Sequence, residues 1–189
     1  MIQRLLFAAA SAFALSSCSP KPPPPAPAPD ADWPYYGGDA GGQRFSPAAQ
    51  ITPRNVAGLK VAWTYSTGHM TAHPQASGRS AFEATPILAG GRLFLCSPFN
   101  VVSAHDPATG KPLWTYDPKI DATIRYPNSF NCRGVTYWRN PAAPAHAPCA
   151  ETIFMATNDR RLLARDAADG KACAAFGQGG ELDAMPDAR

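Results

Sequence analysis

A chain of 189 residues allows one domain, or two at most, and its charged fraction of 16% is well below the usual quarter. A net charge of +3, with no Lys/Arg cluster interleaved with aromatic residues, argues against nucleic acid as a partner.

In chain order, residues 1–18 read as a targeting segment. Arg4 gives a positive start, and the apolar run from Leu5 to Leu15 has signal-peptide length, too short to span a bilayer. Leu15, Ser16, Ser17 and Cys18 follow in the order of a bacterial lipobox, in which the cysteine is lipidated after cleavage. The alternative is an ordinary signal peptide with Cys18 incidental. Residues 19–32 are a Pro/Ala tether with almost no apolar bulk, which favours an extended polyproline II spacer. Together they predict a lipid-anchored domain held off the periplasmic side of a bacterial membrane.

The domain proper is expected over 33–189. Residues 33–58 are turn-rich, with a helical turn expected from Asn55 to Leu59. The segment around Trp63 then reads as a strand with bulky alternate side chains. Four strands are predicted over 82–117. Gly90-Gly91 is a hairpin signal, and Asp106, Pro107 and Gly110 mark a second turn. The same order recurs over 131–176: Ala104, Asp106, Gly110 and Lys111 reappear as Ala164, Asp166, Gly170 and Lys171, an offset of 166 − 106 = 60 residues. A four-stranded unit repeated at that length predicts β-propeller blades, which need neighbours to bury both faces. By this repeat Ala174 stands where Trp114 stands in the first unit, and Cys173 beside it is expected to replace the lost docking contact with a disulfide.

Four cysteines lie past the tether: Cys96, Cys132, Cys149 and Cys173. In an exported chain they predict two disulfides, with three possible pairings. Cys132 and Cys149 flank one Pro-rich loop, so that pair is favoured. A zinc site is disfavoured because no Cys-x-x-Cys pair exists. Asp39, Asp106 and Asp166 read as turn formers. His69, His73, His105 and His146 show no ligand spacing, and His69 and His73 read as exposed loop histidines.

The motifs of 33–68, with 82–87, 93–114, 131–138 and 149–180, resemble the opening of quinoprotein alcohol and sugar dehydrogenases, most of all the membrane-bound glucose dehydrogenase group and its polyol-oxidising relatives. The resemblance implies an all-β fold: two blades and a ring-closing strand from an eight-bladed propeller that uses pyrroloquinoline quinone with calcium. It also implies that the chain is an N-terminal piece, which alone is expected not to turn over substrate. The whole enzyme would oxidise a sugar or polyol and pass electrons to a respiratory quinone or cytochrome. Glu83 and Arg133 match family cofactor contacts. Each is expected to open the first strand of its blade, so the two should lie side by side at one mouth of the central funnel. The calcium ligands and catalytic aspartate are expected outside this chain. Where alcohol-oxidising relatives carry an adjacent Cys-Cys pair, this chain has Pro127-Asn128, and where glucose-specific relatives carry a histidine it has Ser129. The rival reading is a non-enzymatic lipoprotein propeller that scaffolds outer-membrane assembly, for which a charged pair at the funnel mouth is unnecessary.

Overall fold

The computed structural model describes residues 32–185. The expected signal segment, Cys18 and all of the tether before Asp32 therefore lie outside the described residues. Within them, ten strands form two four-stranded antiparallel sheets and one two-stranded parallel sheet. The first sheet runs in sequence order through β2 (Ile87–Ala89), β3 (Arg92–Cys96), β4 (Val102–His105) and β5 (Pro112–Tyr116), with β1 (Ser80–Phe82) ahead of it. The second runs through β7 (Thr136–Arg139), β8 (Glu151–Ala156), β9 (Arg161–Asp166) and β10 (Glu181–Asp183). β6 (Phe130–Cys132) precedes it and pairs in parallel with β1. Each large sheet is a consecutive up-and-down meander, the form of a propeller blade.

Local chemistry explains the turns. Gly90 and Gly91 both take positive φ, 54° and 71°, as the tight β2–β3 hairpin requires. Asp106 Oδ1 accepts hydrogen bonds from the amides of Ala108 and Thr109 and from the Thr109 hydroxyl. Those bonds hold its carboxyl below the ordinary carboxylate range. Asp166 does the same for Ala168 and also accepts from the Cys149 amide at 2.6 Å. His105 of β4 is fully buried: one ring nitrogen meets the Gly110 carbonyl at 3.0 Å and the other the Ser103 hydroxyl at 2.8 Å.

One apolar core joins the blades. Ile87, Phe94 and Val102 of the first sheet pack with Ile153, Met155 and Leu163 of the second and with Val135 just before β7. Two tryptophans tie consecutive units together in the same way. Trp63 Nε1 donates to the Pro107 carbonyl at 3.0 Å, and Trp114 Nε1 donates to the Ala167 carbonyl, also at 3.0 Å. The two acceptors stand at the repeat offset. Each indole lies over a glycine: a Cβ on Gly110 would overlap the Trp63 ring, and one on Gly170 would come within 2.7 Å of the Trp114 ring. A charged cluster adds a second tie. Glu181 accepts from the Tyr116 hydroxyl of the first blade at 2.9 Å and pairs with Arg161 and Arg165 of the second at 2.9 and 2.6 Å. Arg165 also stacks over the Tyr116 ring at 3.7 Å, and Arg161 reaches the Pro118 carbonyl at 2.7 Å. Burial alone would raise the Glu181 carboxyl, but hydrogen bonds from Arg161 and Tyr116 and the nearby guanidinium charges outweigh it and hold it below 4.5.

Five expectations are corrected. The disulfides join Cys96 to Cys132 and Cys149 to Cys173, so the favoured Cys132–Cys149 pair does not form. Cys132 ends β6, inside the core beside β3, whereas Cys149 is drawn to the second blade by the Asp166 carboxylate. The Cys149–Cys173 bond lies within one blade and so does not replace a docking tryptophan. The fourth strand of the second blade is β10, not 171–176, because Cys173 is tethered and Gly177, Gly179 and Gly180, all at positive φ, turn the chain first. The segment around Trp63 forms no strand, since a strand requires a ladder partner and the described residues supply none. The helical turn near Asn55 is present as a 3₁₀ turn, Val56–Gly58. Residues 69–79, read as loop, form a short helix and a 3₁₀ turn, and His69 and His73 are half-buried there against Phe99 rather than exposed.

Trp114→Ala is expected to cost about 3 kcal/mol through lost packing. Gly170→Ala should destabilise through the same dock. The combined variant should lose little more than the worse single one, and thermal melts showing full additivity would refute a shared contact. Because the Glu181 carboxyl sits below its usual 4.5, its stabilisation is complete above that value and is lost as pH falls through the lowered folded value. Melting temperature should therefore drop below about pH 4.5, and Glu181→Gln should flatten that part of the profile.

Candidate functional site

The parallel pairing of β1 with β6 builds the site. Its register sets Ser80 opposite Phe130, Ala81 opposite Asn131 and Phe82 opposite Cys132. The next residues along the two strands are Glu83 and Arg133. Arg133 Nε lies 3.3 Å from Glu83 Oε2, and the Asn131 side-chain amide donates to the same oxygen at 3.4 Å. The Thr85 amide donates to the Arg133 carbonyl at 3.2 Å and carries the pairing past the strand ends. The sequence expectation that Glu83 and Arg133 lie side by side is met. Their placement differs in one respect: neither opens the first strand of a blade. Both sit in the connections, Glu83 between β1 and β2 and Arg133 between β6 and β7, because Pro86 lacks an amide hydrogen and Gly134 takes a φ of 152°.

Arg133 and Asn131, though not Glu83, line a shallow cleft of about 360 Å³ together with Tyr126, Pro127, Asn128, Cys132, Gly134, Ala156, Thr157 and Asn158. Pro127 and Asn128, the positions singled out in the sequence, thus belong to the same cleft as Arg133. The Tyr126 hydroxyl is pushed up by burial and by the Asp159 and Asp121 carboxylates, so it remains a neutral donor at neutral pH. A small apolar cluster of Ala76, Phe99, Ile120, Ala122 and Phe130 supports the wall from beneath. Arg79 clamps the 118–129 loop to that cluster, donating to the Ala122 and Ile124 carbonyls and lying over the Phe130 ring.

The side chain of Arg133 is 83% exposed and that of Glu83 is 43% exposed. An ion pair that open contributes about 0–1 kcal/mol to stability. Its backbone, by contrast, is fixed in register. A guanidinium held in place but unused by the fold can bind carboxylate or carbonyl oxygens through paired hydrogen bonds. Among the described residues no group of three or more His, Cys, Asp or Glu side chains could hold a metal ion.

Asn100 and Asn158 were not anticipated from the sequence. Asn100 is buried with a φ of 60°; its Nδ2 donates to the Asn131 carbonyl at 3.4 Å and its Oδ1 accepts from the Asn158 amide at 2.9 Å. Asn158 Nδ2 donates to the Ser129 carbonyl at 2.8 Å. These contacts brace β6 between the β3–β4 and β8–β9 turns. The signal available was an asparagine within a hairpin turn, where it tolerates the left-handed region.

Comparison with known proteins places these features in a lineage. The family model for the glucose/ethanol/alcohol dehydrogenase β-propeller domain that uses PQQ matches residues 33–189. The chain is 41% identical over 156 residues to the glycerol dehydrogenase large subunit of Gluconobacter oxydans, covering 82% of this chain and 20% of that one. It is 40% identical over 167 residues to the quinoprotein glucose dehydrogenase of Escherichia coli, covering 85% and 21%. The crystal structure of quinohemoprotein alcohol dehydrogenase from Comamonas testosteroni superposes with a TM-score of 0.63 at 29% identity, over 83% of this chain and 20% of that one. The chain thus spans about a fifth of the length of the relatives it matches. With its two blades, its paired Glu83 and Arg133 and this match over nearly all the described residues, the chain belongs to the β-propeller family of PQQ-dependent glucose, ethanol and alcohol dehydrogenases.

Proposed function

We propose that these residues form part of a pyrroloquinoline quinone-dependent dehydrogenase that oxidises a hydroxyl of a sugar or polyol. The observation that carries this reading is the Glu83–Arg133 pair, fixed in register yet solvent-exposed on a cleft. When bound, the quinone supplies a two-electron oxidant for the alcohol, and the protein supplies binding and orientation. Arg133 offers donors to the cofactor's carboxylate or carbonyl oxygens. Arg133 Nε is ion-paired with Glu83 at 3.3 Å, and the Arg133 side chain stays 83% exposed and open to a ligand. The Asn131 side-chain amide donates to the same Glu83 oxygen. The electron acceptor in this reading is a respiratory quinone or cytochrome.

The family resemblance also implies calcium. The described residues offer no ligand group for it, and its ligands are assigned to residues outside 32–185. Ser129, where glucose-specific relatives carry a histidine, weighs against glucose and leaves polyols or other cyclic alcohols open. Among the described residues no helix is long and apolar enough to cross a membrane. In this proposal, membrane attachment on the periplasmic side comes instead from lipid on Cys18.

Titration of the full-length protein with pyrroloquinoline quinone should show saturable quenching of tryptophan fluorescence. Arg133→Ala should weaken binding about 10–150-fold, the loss of one charge-assisted hydrogen bond or pair. A full-length protein that does not bind the quinone would give the case to the scaffold reading. Palmitate labelling in a host that processes lipoproteins should tag the protein. The tag should vanish in Cys18→Ala, and labelling that persists there would exclude the anchor.

A further inference from the structure

We infer that the Cys96–Cys132 disulfide is the positioning element of the cofactor site, setting where Arg133 stands. This rests on the reading of Glu83 and Arg133 proposed above. β6 is three residues long and pairs only with β1, also three residues. A two-stranded pairing of that size is marginal by itself. Arg133 cannot anchor itself, because its side chain is 83% exposed. What precedes it can. Cys132 is 6% exposed and Cys96, at the end of β3, is fully buried; both belong to the core that joins the blades. Their bond therefore ties the residue next to Arg133 covalently to the centre of the first blade. Cys132 is also the register partner of Phe82, so the same bond sets Arg133 opposite Glu83. Phe130, three residues before Arg133, is fully buried in the cluster beneath the cleft, and nearer to Arg133 the non-covalent restraints are lighter: the 3.4 Å bond from Asn100 to the Asn131 carbonyl and the 3.2 Å bond from the Thr85 amide.

The second disulfide is an internal control. Cys149–Cys173 lies within the second blade and does not line the cleft. The two bonds close loops of similar size, with separations of 36 and 24 residues, so removing either should lower stability by a similar amount through loop entropy. Only the first should alter cofactor binding.

The test is quinone titration of the full-length protein, with melting temperature recorded alongside. Cys96→Ala/Cys132→Ala should raise Kd about tenfold or more, and Cys149→Ala/Cys173→Ala less than about twofold, with both melting earlier. In an Arg133→Ala background, removing Cys96–Cys132 should add less than about a further twofold, because the two act through one contact. Equal Kd values for the two disulfide variants, or full additivity with Arg133→Ala, would overturn the inference. If Cys96→Ala/Cys132→Ala gives no cooperative melt, the folded wild type is reduced with a phosphine and its thiols mapped by mass. An unchanged Kd with Cys96 and Cys132 both free overturns the inference, and a raised one supports it. A wild type that does not bind the quinone overturns the functional proposal and this inference together, whereas binding by the wild type with an indifferent disulfide overturns this inference alone.

Discussion

An indole laid over a glycine of the next sheet is the contact on which this architecture depends. A single four-stranded sheet of this kind has two faces and can cover neither alone. Trp63 and Trp114 each cross to the following turn, close over Gly110 or Gly170, and donate to a carbonyl three residues before that glycine. The glycine is required twice, for its positive φ and for the absence of a Cβ under the ring. Apolar burial gives the contact its strength, and the single hydrogen bond gives it a register. The core from Ile87 to Leu163 then forms behind it.

Much of this was legible in the sequence because it is periodic. The Asp106–Gly110 and Asp166–Gly170 turns and the blade count follow from turn chemistry repeated at one offset, and the hairpin at Gly90-Gly91 follows from its paired glycines alone. The adjacency of Glu83 and Arg133 followed from the matching order of strands in the two units together with the family resemblance, since the two residues are 133 − 83 = 50 positions apart and not at the turn offset. What failed was whatever depends on a partner distant in sequence. The Cys132–Cys149 pairing was argued from loop proximity, but burial decides it: Cys132 faces the core beside Cys96, and Asp166 draws Cys149 elsewhere. The strand around Trp63 has the side-chain pattern of a strand, yet hydrogen bonding, not pattern, makes a ladder. The place of β10 depended on a disulfide and three glycines whose combined effect is local and aperiodic.

The site and the fold divide their labour clearly. Buried groups near it (Phe130, Cys132, Asn100) stabilise and brace, while the groups that can meet a ligand (Arg133, Glu83, Asn131) contribute little to stability. Such a division lets binding residues change without unfolding the blade, which suits a propeller shared by relatives that oxidise glycerol and glucose.

Each docking tryptophan reaches forward along the chain. Trp63 waits for an acceptor 44 residues later and Trp114 for one 53 residues later. At synthesis rates of about 5–20 residues per second, an emerging chain holds Trp114 without its cradle for about 3–10 s. The first blade therefore spends that interval with an aromatic side chain uncovered. The second turn must emerge before the first blade is sealed, so each unit of this fold closes only when the next one is present.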